Sequence, residues 1–317
     1  MSKKCLVTGG AGFIGSHIVD ALIDAGHSVT IVDDLSTGKL DNVNHAAEFV
    51  EADISKDYVE DSLSSYVDAD VVADTLKPYF DGVDYVFHLA AMARVQPSIE
   101  DPVKFDLVNV GGTVRMLKLA ADAGVEKFIF SSSSSVYGDP EYTPTDELHP
   151  TNPISPYAAN KLIGEIYCKM FAEVYGLATV SLRYFNVYGE RQPLEGAYAL
   201  VMGIFADQLL KGKSMTINGD GEQRRDFTYV KDVVNANMLA AQSDDAGFGE
   251  VYNVGNGGNK SVNDLANLLG GKKVYGDPVI EPRETLADNT KIKGVLDWRP
   301  TVELEDWVPL WKKEIGL

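Results

Sequence analysis

Apolar positions open the chain as a short run, Cys5-Leu6-Val7, that ends in glycines, and a helical apolar period then runs from residue 13 to about 25. The first pattern predicts a buried strand and the second a helix. Residues 28–32, 48–52, 83–89 and 127–130 read as further strands. Strands alternating with helices predict a parallel sheet covered on both faces. Asp101-Pro102 and Ser155-Pro156 each place a capping residue before a proline, and predict helices running to about residues 123 and 175. Both helices are apolar most of the way round. The first carries Phe105, Val108, Val110, Val114, Met116 and Leu117, and the second Leu162, Ile163, Ile166, Met170, Phe171 and Val174. Such helices bury two sides. One side is expected on the sheet and the other against a second copy of the chain, which predicts a homodimer; burial under other parts of the same chain is the alternative.

Residues 57–75 are acidic and irregular, and read as a helix plus a surface loop without chemistry. Beyond Gly189 the pattern loosens, with glycine turns at Gly219 and Gly221 and at 255–258, and a capping-box pattern at Ser261 and Asp264. The expected organisation is a first domain of residues 1–188 plus about 230–256, and a smaller mixed α/β lobe of residues 189–229 and 257–317.

Composition narrows the function. The 317 residues carry a net charge of −19 and are 45% hydrophobic, which suits an ordered core and argues against nucleic acid as partner, because phosphate backbones call for clustered Lys and Arg. Cys5 and Cys168 call for no disulfide, and no His/Cys cluster has zinc spacing, so no metal is expected. Met1-Ser2-Lys3-Lys4 passes straight into the first strand, which leaves no signal-peptide pattern, and no apolar run reaches the ~18 residues of a membrane span. A cytoplasmic protein is expected.

The first candidate chemistry is Thr8-Gly9-Gly10-Ala11-Gly12-Phe13-Ile14-Gly15, between a strand and a helix. Gly9 permits the tight turn, Gly12 lets a pyrophosphate approach the backbone, and Gly15 packs helix on strand. The helix N-terminus offers free N–H groups and the positive end of its dipole. Asp33 ends the second strand where a ribose-binding acid belongs; its carboxylate would accept both ribose hydroxyls and repel a 2′-phosphate, which selects NAD over NADP. Asp34 could do this instead. Asp53-Ile54 follows the third strand, either as an adenine contact or as an ordinary turn. The expected fold is therefore a Rossmann doubly wound parallel sheet with a smaller mixed substrate lobe.

Tyr157 and Lys161 stand four apart on the predicted helix, so both side chains share one face. A phenol with pKa near ~10 is a poor base at neutral pH, and lowering it by roughly three units takes about 4 kcal/mol, which two close cations in a dry site can supply. The ammonium of Lys161 and a nicotinamide are two such cations, and Tyr157 could then take a proton from a substrate hydroxyl. The pair follows a serine cluster at the end of an apolar strand, where α/β sheets place their chemistry. Ser133 of that cluster could hydrogen-bond the same hydroxyl, while its neighbours read as a polar turn.

With these residues in view, the chain resembles the extended short-chain dehydrogenase/reductases, and within them the UDP-hexose 4-epimerases. The likeness rests on TGGAGFIGSH at 8–17, VDDLSTG at 32–38, HLAA at 88–91, SSSSSVYG at 131–138, SPYAANK at 155–161, RYFNVYGERQ at 183–192, NGDGEQRRDFTYVKDV at 218–233 and TLAD at 285–288. The resemblance implies Ser133, Tyr157 and Lys161 as the catalytic trio. It implies Phe13, Ile14, Leu35, Ser36, Thr37, Gly38, Leu89, Ala90, Ala91, Asn109, Ser131, Tyr184, Phe185 and Val187 beside the NAD. It implies Asn186 and Arg225 at the diphosphate, Leu200 and Val201 at the uridine, and Ala93, Ser134 and Gln192 elsewhere on the sugar nucleotide. The implied reaction removes the O4 proton and a hydride from C4, lets the 4-keto sugar turn its other face, and returns both.

Two stretches depart from the family pattern. Where relatives carry Pro-Arg-x-Gly-Asp, this chain has a shortened Asp277-Pro278-Val279-Ile280-Glu281-Pro282-Arg283-Glu284, so Arg283 either replaces the usual phosphate arginine or sits near it. Thr285 matches the position that gates the sugar pocket. A tyrosine there leaves room only for a 2-hydroxyl, so threonine predicts that N-acetylated sugars fit, alongside UDP-glucose. Alternatives are a 4,6-dehydratase, for which Ser134-Ser135 replace the expected Asp-Glu pair, a UDP-glucuronate epimerase or decarboxylase, for which Arg94 is the candidate carboxylate partner, and a catalytically silent NAD or sugar-nucleotide sensor.

Overall fold

A computed structural model describes residues 2–56, 74–194, 199–279 and 281–317. The acidic segment expected as helix and loop lies, but for its last two residues, outside the described residues. In chain order the strands are β1 (Lys4–Thr8), β2 (Ser28–Asp33), β3 (Glu48–Glu51), β4 (Tyr85–His88), β5 (Lys127–Ser133), β6 (Thr179–Tyr184), β7 (Asn186–Tyr188), β8 (Met215–Asn218), β9 (Arg224–Tyr229), β10 (Phe248–Val254), β11 (Asn259–Ser261) and β12 (Lys273–Gly276). The helices that position the candidate chemistry are α1 (Phe13–Asp24), α2 (Val95–Glu100), α3 (Pro102–Asp106), α4 (Thr113–Ala123), α5 (Pro156–Tyr175) and α6 (Val201–Leu210).

Two compact units divide the chain. The first comprises residues 1–132, 155–182 and 237–251, and the second 133–154, 183–236 and 252–317. The first unit is built on a seven-stranded parallel sheet in the order β10-β6-β5-β4-β1-β2-β3, a Rossmann-like arrangement with helices on its faces. The order reverses after β1, whose partners are β2 on one side and β4 on the other. Leu6, Val32, Val86, Phe128 and Phe130 pack with Met116, Leu117, Cys168 and Phe171 in its core. Both cysteines are buried and free.

The predicted helix starts are where the caps placed them. The Ser155 hydroxyl accepts from Ala158 N at 3.2 Å and the Asp101 carboxylate from Lys104 N at 3.2 Å. The helix expected from Pro102 to about residue 123 is not uniform: Leu107–Gly112 between α3 and α4 is wound as a π-helix. The expectation that both long helices bury two sides does not hold within this chain, since Val103, Leu107, Ile166 and Val174 are exposed. The serine run also differs from expectation. β5 continues through Ser133, and only Ser134–Tyr137 form the turn.

The second unit holds a three-stranded sheet, β11-β9-β7, and a parallel pair, β12-β8. Its helix Val262–Leu269 begins with the expected capping box, in which Ser261 and Asp264 bond each other's backbone N–H at 2.9 Å. No helix among the described residues is long and apolar enough to cross a membrane.

Candidate functional site

In the first unit the glycine loop is a cradle that side chains would fill. Gly9 has φ +73°, and a Cβ there would lie 2.7 Å from Ala90 N. A Cβ on Gly15 would lie 2.1 Å from the Gly9 carbonyl oxygen. Gly12 caps α1 without a side chain of its own, which leaves the first-turn N–H groups, from Phe13 and Ile14 onward, for a ligand. Leu89, Ala90 and Ala91 run on from β4 beside this loop: Leu89 N donates to Thr8 O at 3.1 Å and Ala90 N to the Thr8 hydroxyl at 3.2 Å.

Asp33 and Asp34 are told apart by burial. Asp33 is buried; its Oδ2 accepts from Ala11 N and its Oδ1 from Leu35 N, both at 2.9 Å. Burial pushes its pKa up while these two donors pull it down. Each oxygen keeps a free lone pair, as a ribose diol requires. Leu35 sits at φ 56°, and a Cβ on Gly38 would come within 2.7 Å of Asp33 Oδ1, so glycine keeps the carboxylate accessible. Asp34 is exposed and closes a local turn onto Ser36, ahead of Thr37. Asp53 makes the same turn onto Ser55. Ile54 is held through its carbonyl, which accepts from Arg115 NH1 at 3.0 Å. The glycine cradle, the helix N-terminus and the buried acid at the end of β2 together fit an NAD.

One buried relay passes behind this cradle, and no pattern along the chain signals it. The Thr113 hydroxyl donates to Asn109 O at 2.6 Å, so it must accept from His88 Nε2 at 2.9 Å. His88 Nδ1 then accepts from the Thr8 hydroxyl at 2.7 Å. The Asn109 side chain in turn clamps Met92, accepting from its N at 2.8 Å and donating to its O at 2.9 Å. Burial pushes the His88 pKa down to about 3, with Lys161 adding to the effect, so the ring is neutral. The carbonyl edge after β4 is thereby tied to the π-helical segment before α4.

Tyr157 and Lys161 share a face of α5. The Lys161 ammonium lies 6.0 Å from the centre of the Tyr157 ring and 5.1 Å from that of Phe130, and donates to Ser131 O at 2.7 Å. Burial pushes the Lys161 pKa down to about 8, while Cys168 and Glu165 raise it. One turn further along α5, buried Glu165 accepts from the Ser132 hydroxyl at 2.5 Å. Ser131 and Ser132 of β5 thus grip successive turns of the helix. Gly164 makes the approach possible, for a Cβ there would lie 2.3 Å from Phe130 Cζ. Ser133 ends β5, and its hydroxyl accepts from Ser135 N at 3.1 Å. Ser134 opens the turn that follows, and Ala93 precedes α2.

In the second unit, buried Tyr184 and Phe185 lead into β7, which carries Asn186 and Val187. Gln192 Nε2 lies 3.4 Å from Met202 Sδ on α6, which begins at Leu200 and Val201. Arg225 is buried on β9, pairs through NH2 with Glu281 Oε2, and donates from NH1 to Arg224 O at 2.8 Å. Arg283 is exposed and forks onto Asp220 at 2.8 and 3.0 Å. Thr285 is set against β9: its N donates to Arg224 O at 3.0 Å, and its hydroxyl accepts from Asp226 N at 3.3 Å. Among the described residues no group of acids, histidines or cysteines could hold a metal ion.

Residues 5–255 match the family described as the NAD dependent epimerase/dehydratase family. The UDP-glucose 4-epimerase of Mycolicibacterium smegmatis is 41% identical over 320 residues, 96% of each chain. The UDP-N-acetylglucosamine 4-epimerase of Methanobrevibacter ruminantium, solved with UDP-N-acetylmuramic acid, is 38% identical with a TM-score of 0.87 over 97% of this chain and 96% of that one. The UDP-glucuronic acid 4-epimerase of Bacillus cereus, solved with UDP-glucuronic acid and NAD, is 31% identical with a TM-score of 0.86 over 99% of each chain. With the glycine cradle, Asp33 and the Tyr157–Lys161 pair, these likenesses place the chain in the NAD dependent epimerase/dehydratase family.

Proposed function

We propose that this protein epimerises a UDP-hexose at C4, with Tyr157, Lys161 and Ser133 as its catalytic residues. The observation that carries the reading is the Tyr157–Lys161 pair on α5, with the ammonium buried and fixed by Ser131 O at 2.7 Å. A cation held in a dry site beside a phenol favours the phenolate, which makes Tyr157 a base for the O4 proton. Ser133 would hold the same hydroxyl in line. Bound NAD supplies the hydride acceptor and donor for C4, through a 4-keto sugar. Asp33 would hold its ribose, and the cradle from Gly9 to Gly15 its pyrophosphate. Asn186 and Arg225 would take the substrate diphosphate, Leu200 and Val201 the uracil. Thr285, small and held against β9, supports acceptance of UDP-N-acetylglucosamine as well as UDP-glucose.

The test incubates the purified protein with UDP-glucose, UDP-N-acetylglucosamine and UDP-glucuronate, with products identified by NMR. The galacto isomer of either of the first two is expected without added NAD, and Tyr157→Phe should remove it. Full activity of that variant would overturn the reading. UDP-glucuronate is the second reading. Arg94 favours it, as a partly buried cation held at φ 111°, a strain that tends to persist at ligand sites. The exposed apolar side chains Val103, Leu107, Ile166 and Val174 support a homodimer that covers them, and sedimentation as a single chain would overturn that.

A further inference from the structure

Gln223 immediately precedes β9, and Arg225 is the second residue of that strand. Both reach the same carboxylate. Gln223 Nε2 donates to Glu281 Oε1 at 3.2 Å, and Arg225 NH2 pairs with Glu281 Oε2. Gln223 is itself fixed by Asn218 O at 3.0 Å, and the Arg225 side chain is only 9% exposed. The pair is therefore built into the fold. The Arg283–Asp220 fork differs, since both partners are mostly exposed, and such pairs are worth little.

We propose that Glu281 is an internal competitor for the substrate diphosphate: its carboxylate occupies the Arg225 guanidinium, and each binding event exchanges one anion for another. This rests on the reading of Arg225 as a diphosphate residue. A diphosphate brings two negative charges, and a carboxylate kept at the same fork would repel them. Glu281 has to leave, and the cost of breaking its two contacts is subtracted from affinity. That cost suits an epimerase. Substrate and product carry the same UDP, so contacts to the diphosphate hold both equally and do nothing for the chemical step. Tight uniform binding would only slow release, and a returning carboxylate speeds it.

The test measures UDP binding calorimetrically, and its release by stopped flow, for the unaltered protein, Glu281→Gln and Arg225→Gln. Retained NAD content checks that each variant is folded. Glu281→Gln should bind UDP about fivefold tighter, the worth of one partly exposed ion pair, and release it correspondingly more slowly. Arg225→Gln should bind UDP more weakly. Equal or weaker UDP binding by Glu281→Gln, with Arg225→Gln still impaired, overturns the exchange and leaves Glu281 as a support for Arg225. Unchanged UDP affinity in Arg225→Gln overturns the diphosphate reading itself, and the exchange with it.

Discussion

Lys161 is bound to the strand in front of it: its ammonium, buried on α5, donates to the carbonyl of Ser131 on β5 at 2.7 Å. Burial pushes the pKa of this ammonium down to about 8. The charge that would support the Tyr157 phenolate is therefore present below about pH 8 and lost above it. The turnover number should fall as pH rises through this value, and Lys161→Met should lower it about a hundredfold at neutral pH. Stability moves the other way. Between about 8 and the ordinary value of 10.5 the unfolded chain binds more protons at this group, so its contribution to stability grows with pH. Loss of activity above pH 8 together with a melting temperature that rises rather than falls is the expected pair of observations.

His88 ties Thr8 to Thr113 as a neutral ring. Its pKa is depressed to about 3 from 6.5, so its contribution to stability is complete above pH 6.5 and is lost as pH falls towards 3. His88→Phe leaves both hydroxyls without their ring nitrogen and should cost about 1–3 kcal/mol in urea unfolding near neutral pH. The variant should also lose this part of the acid sensitivity and retain less NAD, because the Ala90 edge is no longer tied to Asn109. An unchanged unfolding curve would refute the role of the relay.

Gly164 sets the distance between α5 and β5. A methyl group at this position would meet the Phe130 ring at 2.3 Å, well inside contact distance. Gly164→Ala should therefore destabilise the protein by about 1–3 kcal/mol despite its better helix propensity, and should reduce turnover by moving Lys161 from Ser131. Thermal melting and initial rates measure the two effects.

Thr285 is fixed to β9 through Arg224 O and Asp226 N, so its side chain has a defined position. The Asp226 carboxylate secures the stretch that follows, accepting from Ala287 N and Gly257 N at 3.0 Å and from Asn256 N at 2.7 Å. Thr285→Tyr should lower kcat/KM for UDP-N-acetylglucosamine about tenfold to a hundredfold and spare UDP-glucose. Unchanged turnover of the N-acetylated substrate would sink the gating role.

The sequence by itself determined what depends on neighbours along the chain. The helix starts at Ser155 and Asp101, the capping box at Ser261, the glycine turn after β1 and the spacing of Tyr157 and Lys161 follow from local hydrogen-bonding and helical period, and each is present in the structure. The tertiary structure decided what depends on residues far apart. Ser131 and Ser132 read as part of a polar turn, yet they continue β5, because Ser132 finds Glu165 thirty-three residues away and the Ser131 carbonyl finds Lys161. His88 looked like one letter of an apolar strand until Thr8 and Thr113 reached its two nitrogens. Arg225 and Arg283 were alike as sequence. Packing separated them, burying one against Glu281 and leaving the other in solvent with Asp220. Burial and partner choice set the charge and strength of a polar group, and both are properties of the folded chain, which no local window contains.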